Sequence, residues 1–319
     1  MNARRRLIPV AAATTVTALG IGTLSACSND TAEAAQTSRF DVVTSFYPMT
    51  FLAERIGGSH VHVTSLTSPG QEPHDLELST KQMIQLQESD AVLYLGNLQP
   101  SVDAAVAQSE IGTKIDATSL TTLEEHGNEV GGHAAAHDSD EHTEESGKDP
   151  HIWLDPVKYA QVAKGVGAAF EKADPDHAAD YRKNTAALVE RLDELNTEFK
   201  EGLARTKTEV FITTHAAFGY LAERYGLTEE AVNGLDPESE PSAARVRDLE
   251  NMARADGVTT VFYETLVSDR TAKTIAQDTG LRADVLDPLE GITEKSRGKD
   301  YFSVQEANLE ALRTALGAK

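Results

Sequence analysis

From about His177 to Ala204 the apolar residues Tyr181, Leu188, Leu192, Leu195, Phe199 and Leu203 recur at spacings of mostly three, four or seven, and neither proline nor glycine interrupts them before Gly202. That period marks one face of a single helix. At 1.5 Å per residue the helix would run about 40 Å, the length of a whole lobe. It therefore reads as a connector, with a separate folded region on each side.

Both flanks alternate strand and helix patterns. Before the connector, Phe40-Asp41-Val42-Val43 precedes a helix from about Met49, His60 to Thr64 reads as a strand, Ala91 to Leu95 follows a helix near residues 80–88, and Lys114-Ile115-Asp116 looks like a fourth short strand. After it, Val210 to Thr213 precedes a helix at about Ala216 to Tyr225, and Val258 to Tyr263 precedes one at about Ser268 to Thr279. A short strand near Asp284-Val285-Leu286 and a helix from about Tyr301 complete the chain. Strands separated by helices favour parallel sheets. The expectation is an α/β protein of two lobes, each a small parallel β-sheet flanked by helices: residues 39–173, a connector over 174–205, and residues 206–319. Its natural ligand position is the cleft facing the carboxyl ends of the strands.

The first 38 residues are of another kind. Arg4, Arg5 and Arg6, an uncharged Leu/Ala/Val/Thr stretch and Leu24-Ser25-Ala26-Cys27 read together as a secretory signal over residues 1–26. Small residues just before the single cysteine resemble the lipobox of bacterial lipoproteins, which implies cleavage and lipidation of Cys27. Residues 27–38 are small and polar, as in a tether between lipid and folded body. One cysteine excludes an internal disulfide. The net charge of −22 becomes more negative without the signal, which removes three arginines and no acid. Nucleic acid is an unsuitable partner for such a surface, whereas cations are attracted to it.

Three histidines stand in Pro-flanked turns or at a strand end: His74 in Pro69-Gly70-Gln71-Glu72-Pro73-His74, His151 in Asp149-Pro150-His151-Ile152-Trp153-Leu154-Asp155-Pro156, and His215 after Ile212-Thr213-Thr214. Such positions hold an imidazole in one orientation, which metal ligation requires. Singly, each is equally compatible with a structural histidine. Glu264, directly after the Phe262-Tyr263 strand end, accepts a hydrogen bond from behind a ligand imidazole, caps the next helix or pairs with a nearby base. His60 and His62 alternate in a strand and read as an exposed face, and His177 as ordinary surface.

These motifs, with Thr213 to Leu221, Pro288-Leu289-Glu290-Gly291-Ile292-Thr293 and Tyr301-Phe302, occur in the order seen in the zinc and manganese substrate-binding lipoproteins of bacterial ABC importers, which the chain resembles from about Phe40 onward. The resemblance implies a metal ion between two lobes, held by His74 and His151 on the first and by His215 and Glu290 on the second, with either Glu290 or water in the fourth position. It implies an ABC permease as partner, a monomer anchored through Cys27 on the outer face of the cytoplasmic membrane or facing the periplasm, and no catalysis. Three imidazoles and at most one carboxylate suit Zn2+, whereas Mn2+ prefers more oxygen. In manganese-binding relatives the position of His215 is typically glutamate.

Residues 121–148 lose apolar periodicity and carry His126, His133, His137 and His142 among Glu, Asp and Gly, which reads as a disordered loop. It is either a weak auxiliary zinc binder or a solvated linker. Alternative functions are a manganese- or iron-binding importer component and a secreted zinc hydrolase. For the hydrolase the chain lacks His-Glu-x-x-His and a Gly-x-Ser-x-Gly elbow. An attachment role would need a surface outside the cleft, which nothing in the sequence marks.

Overall fold

The computed structural model describes residues 39–126, 148–238 and 242–319. The expected signal and tether, Cys27, and His133, His137 and His142 lie outside the described residues. The first half runs β1 (Phe40–Thr44), α1 (Tyr47–Gly57), β2 (Val61–Ser65), α2 (Thr80–Glu88), β3 (Ala91–Tyr94), α3 (Pro100–Gln108) and β4 (Thr113–Asp116). Its strands are parallel, in the order β2-β1-β3-β4. Two helices follow, α4 (Pro156–Ala173) and α5 (Ala178–Gly202). The second half runs β5 (Val210–Thr213), α6 (Gly219–Tyr225), β6 (Thr228–Ala231), α7 (Ala243–Ala255), β7 (Thr260–Tyr263), α8 (Arg270–Thr279), β8 (Arg282–Val285) and α9 (Tyr301–Leu316). Its strands repeat the scheme, parallel and in the order β6-β5-β7-β8. Each sheet thus reverses its winding between its first and third strands, where ligands gather at the carboxyl ends in sheets of this kind.

Alternate strand residues face opposite sides, and the core follows that rule. Val42 of β1 and Phe211 of β5 belong to one continuous apolar cluster that also takes in Leu192, Leu195 and Phe199 of α5 and Leu312 of α9. Their neighbours Val43 and Ile212 face away, into two smaller clusters, one behind each sheet. The inner core is shared and the outer cores are private. Residues 39–319 form one compact unit accordingly. Helix α5 buries Tyr181, Leu188, Leu192, Leu195 and Phe199. It lies along α4 and α1 and touches α9, joining both halves.

Several local expectations are corrected. Strand β6, with the sequence Thr-Glu-Glu-Ala, has no β-rich signature, yet Glu229 and Glu230 are buried in it. Glu229 accepts hydrogen bonds from the Thr213 hydroxyl and Phe218 N, and Glu230 pairs with Arg245. Helix α6 starts at Gly219 rather than Ala216, because Ala216 N bonds Gly234 O and Phe218 N bonds Glu229 instead. Strand β6 and helices α3, α4 and α7 are elements that the sequence reading does not anticipate. His60 ends a short 3-10 turn before β2 and does not share a strand face with His62. Its Nε2 lies 2.9 Å from Asp180 Oδ2, and its ring stacks on His177 at 4.1 Å, so His177 is more than plain surface. The expected disordered loop of 121–148 is folded at its ends. Lys158 Nζ lies 2.7 Å from Glu124 Oε1, Asp149 N bonds Glu124 O, and His126 is buried. His126 therefore belongs to the folded body and not to an open tract.

Candidate metal centre

His74 is delivered by a turn that its own sequence dictates. Gln71 N bonds Ser68 O at 3.0 Å, with Pro69 and Gly70 between them and Gly70 at φ +80°. Proline then glycine is what a type II turn requires. Beyond it, the Glu72 carboxylate accepts from His74 N at 3.0 Å and Asp75 N at 3.3 Å, fixing the backbone on which the imidazole stands. Burial raises the pKa of Glu72.

The Asp149 to Pro156 segment is locked at almost every residue. Asp149 Oδ1 accepts from His151 N at 2.9 Å and from His151 Nδ1 at 2.7 Å. Trp153 Nε1 donates to Pro288 O at 2.7 Å, and the Tyr301 hydroxyl donates to Trp153 O. Asp155 caps α4 by accepting from Val157 N, Pro156 takes the first helical position, and Arg224 of α6 grips the same carboxylate with two nitrogens. Three of these residue pairs, Trp153–Pro288, Trp153–Tyr301 and Asp155–Arg224, reach the second half of the molecule.

In the second half the candidate residues stand just past a strand end and on a loop beyond β8. His215 lies just past β5, and its Nδ1 is 2.8 Å from Oε1 of Glu264, which lies just past β7. Glu290 follows Leu289, a buried residue at φ +60° whose N donates to Asp287 Oδ1 at 2.8 Å. Left-handed backbone costs a leucine on the order of 1–2 kcal/mol. Asn308 of α9 holds the loop through two bonds to the Asp287 backbone, offsetting that strain.

The four side chains converge. Glu290 Oε1 lies 3.3 Å from His74 Nε2, 3.6 Å from His151 Nε2 and 3.6 Å from His215 Nε2. A tetrahedral ion with bonds of about 2.0–2.1 Å sets its donors about 3.3–3.4 Å apart. The His74 contact is also within hydrogen-bond distance, whereas the two at 3.6 Å lie beyond it, and all three are close to the donor spacing around one ion. His151 Nε2, His215 Nε2 and Glu290 Oε2 are buried without a hydrogen-bond partner among the described residues. Buried polar atoms are ordinarily paired, so such a group asks for an explanation, and a shared cation supplies one.

Electrostatics sharpen the picture. Burial alone would lower the pKa of His215, but the charges of Glu264 and Glu290 outweigh it and raise it well above 6.5. His151 is likewise lowered by burial and raised on balance by Asp149 and Glu290. Burial pushes Glu290 upward, yet the three imidazoles bring it well below the usual carboxylate range. The Nδ1 contacts of His151 and His215 to carboxylates hold each ring so that Nε2 faces the centre, and raise its basicity as a ligand. The structure thus brings His74, His151, His215 and Glu290 together and sets Glu264 behind His215. It puts His126 elsewhere, on the far side of Asp149. Sequence reasoning gave Asp149 no role, although an aspartate two residues before a histidine, able to turn back on its backbone, is a readable pattern.

With this geometry in view, comparison with known proteins is direct. The profile of the zinc-uptake complex component A (periplasmic) family, ZnuA, matches residues 42–315. The chain belongs to that family. A family relative, the zinc-binding protein AdcA of Streptococcus pyogenes serotype M6, is 35% identical over 289 residues, covering 85% of this chain and 55% of the relative. The chain thus spans about half the length of its AdcA relatives. The high-affinity zinc uptake system protein ZnuA of Bacillus subtilis is 32% identical over 305 residues, covering 93% of this chain and 94% of that protein. Among solved structures, the Zn(II)-bound ZnuA-like domain of Streptococcus pneumoniae AdcA superposes with a TM-score of 0.72 at 32% identity, covering 87% of this chain and 99% of that one. The laminin binding protein Lmb of Streptococcus agalactiae, described as a bifunctional protein with adhesin and metal transporting activity, gives 0.76 at 27% identity over 87% of this chain and 99% of that one.

Proposed function

We propose that this chain captures one Zn2+ ion with His74, His151, His215 and Glu290 and hands it to the permease of an ABC importer. The observation that carries this reading is the meeting of three Nε2 atoms and one carboxylate, from four separate segments, within 4.8 Å of one another. An N3O donor set favours zinc over manganese. The zinc named in the AdcA and ZnuA relatives supports the same choice. Four protein donors fill a tetrahedral ion and leave it no open position, which favours carriage over hydrolysis. The ion is substrate here: it is bound, kept from water and released unchanged.

The protein works as a monomer on the outer face of the cytoplasmic membrane, held by lipid on Cys27. The lipobox-like residues before Cys27 and the lipoprotein description of the Streptococcus pneumoniae relative support the lipid anchor. Among the described residues no helix is long and apolar enough to cross a membrane. The His74 side chain is 13% exposed, whereas those of the other three ligands are at most 2% exposed, so the ion enters and leaves past His74. The shared core and the Trp153–Pro288 and Asp155–Arg224 contacts oppose a wide opening of the halves.

Metal analysis of the full chain purified without added metal tests the reading. One tightly held zinc per chain, lost in His215→Ala with the fold retained, is the expected result. Zinc retained at one equivalent in His215→Ala would overturn it.

A further inference from the structure

Asp149 serves two imidazoles at once. Its Oδ1 faces His151 Nδ1 at 2.7 Å, and its Oδ2 faces His126 Nδ1 at 2.9 Å. A carboxylate at Nδ1 leaves a neutral histidine its Nε2 lone pair, so one buried acid aims two ligand atoms in two directions. His151 Nε2 points to the cleft, and His126 Nε2 lies 3.2 Å from Glu223 Oε2. Glu124, His126 and Glu223 each place a donor atom within 4.8 Å of the others.

The imidazole is placed with care. Glycine at 219 is what admits it, since a Cβ there would lie 2.6 Å from His126 Cβ. The Tyr220 ring meets it edge-on at 4.5 Å. His126 is buried, yet it lines a cavity of about 330 Å3 and is not sealed from solvent. With Nδ1 committed to Asp149, Nε2 and two carboxylates are all acceptors facing one another. A proton or a metal ion between them would relieve the repulsion. Lys158 Nζ, 2.7 Å from Glu124, offsets one of the three nearby negative charges, leaving a net charge suited to a divalent cation.

We propose that Glu124, His126 and Glu223 form a second divalent-cation site, set up by the same carboxylate that orients His151. One nitrogen and two oxygens make a less selective set than the cleft, open to zinc and to harder ions. Its side chains are partly exposed, 39% for Glu124 and 60% for Glu223, so fixing them costs conformational entropy and the site is the weaker of the two.

The test uses the full chain with Zn2+ as probe. Crystals soaked in zinc chloride should show two anomalous peaks, one in the cleft and one within about 2.2 Å of His126 Nε2. In solution, Glu223→Gln and Glu124→Gln should each weaken the second binding event at least tenfold while leaving the cleft event unchanged. Both side chains are exposed enough that neither variant endangers folding. A cleft peak without one at His126, or a second event untouched by both variants, would overturn the proposal and show that a proton alone holds the cluster. An empty cleft would instead count against the reading of the previous subsection.

Discussion

The two halves share strand order and parallel sense, yet they present their ligands in different ways. In the second half, His215 and Glu264 stand directly on strand ends and Glu290 on a loop pinned by Asn308. In the first, His74 and His151 sit on long excursions from the sheet, held by local turns and by bonds that cross to the other half. One half is a fixed anvil. The other is shaped to meet it, and its exactness depends on the bonds that join them.

That contrast can be broken in several ways. The largest effect belongs to the ligands themselves. His215→Ala leaves Glu264 and Glu290 buried without their shared imidazole and should reduce zinc affinity by more than about a hundredfold. His74→Ala opens the exposed corner, where water can take its place, and should lose less. Competition titrations against a chelator measure both, and a greater loss in His74→Ala would invert the comparison.

Acid is the next lever. Zinc bound as proposed would have to displace protons from His151 and His215, whose pKa values are raised in the metal-free protein. Affinity should therefore keep rising with pH above 6.5, by up to about tenfold per unit for each proton displaced. This moves the window upward from the ordinary histidine value near 6.5. Stability of the metal-free protein should run the other way. A raised histidine contributes fully below its unfolded pKa, and that contribution is lost as pH climbs through the raised folded value. The metal-free Tm should fall across that window while the zinc-loaded Tm does not, as calorimetry with and without chelator would show. A metal-free Tm that rises there would contradict the assigned charge pattern.

Smaller effects separate the supports. Glu264→Gln and Asp149→Asn remove the carboxylates behind His215 and His151, each at a cost of about 10–100-fold in affinity. Asp149→Asn should be the worse, because Asp149 also accepts from His151 N and faces His126. Equal losses would mean that the loop-borne histidine needs no more support than the strand-end one. Last, Gly70→Ala places a Cβ at φ +80° and should destabilise the folded chain by about 1 kcal/mol, with affinity changed little. Chemical denaturation measures the first and zinc titration the second.

Much of this was readable in the chain. The stripe from Tyr181 to Phe199 announced α5, and the apolar runs at Phe40 to Val43 and Val210 to Thr213 announced β1 and β5. The Pro-Gly turn before His74 and the Asp-Pro-His-Ile-Trp-Leu-Asp-Pro segment stood out for reasons the structure makes mechanical. What escaped was whatever depends on distant partners. Glu229 and Glu230 look like surface residues until Thr213, Phe218 N and Arg245 are placed against them. His126 looks like part of a polar tract until Asp149, Gly219 and Tyr220 enclose it. A shared inner core, too, follows from how α5 brings two sheets together and not from either sheet's pattern.

Trp153 is the only tryptophan in the chain, its ring centroid 5.1 Å from that of His151, and its Nε1 is bound to the carbonyl two residues before Glu290. The molecule therefore carries a built-in optical reporter wedged between His151 from one half and the Glu290 loop from the other. If the proposed centre takes up an ion, the ultraviolet emission of Trp153 should report it in real time, with no dye attached and no residue altered.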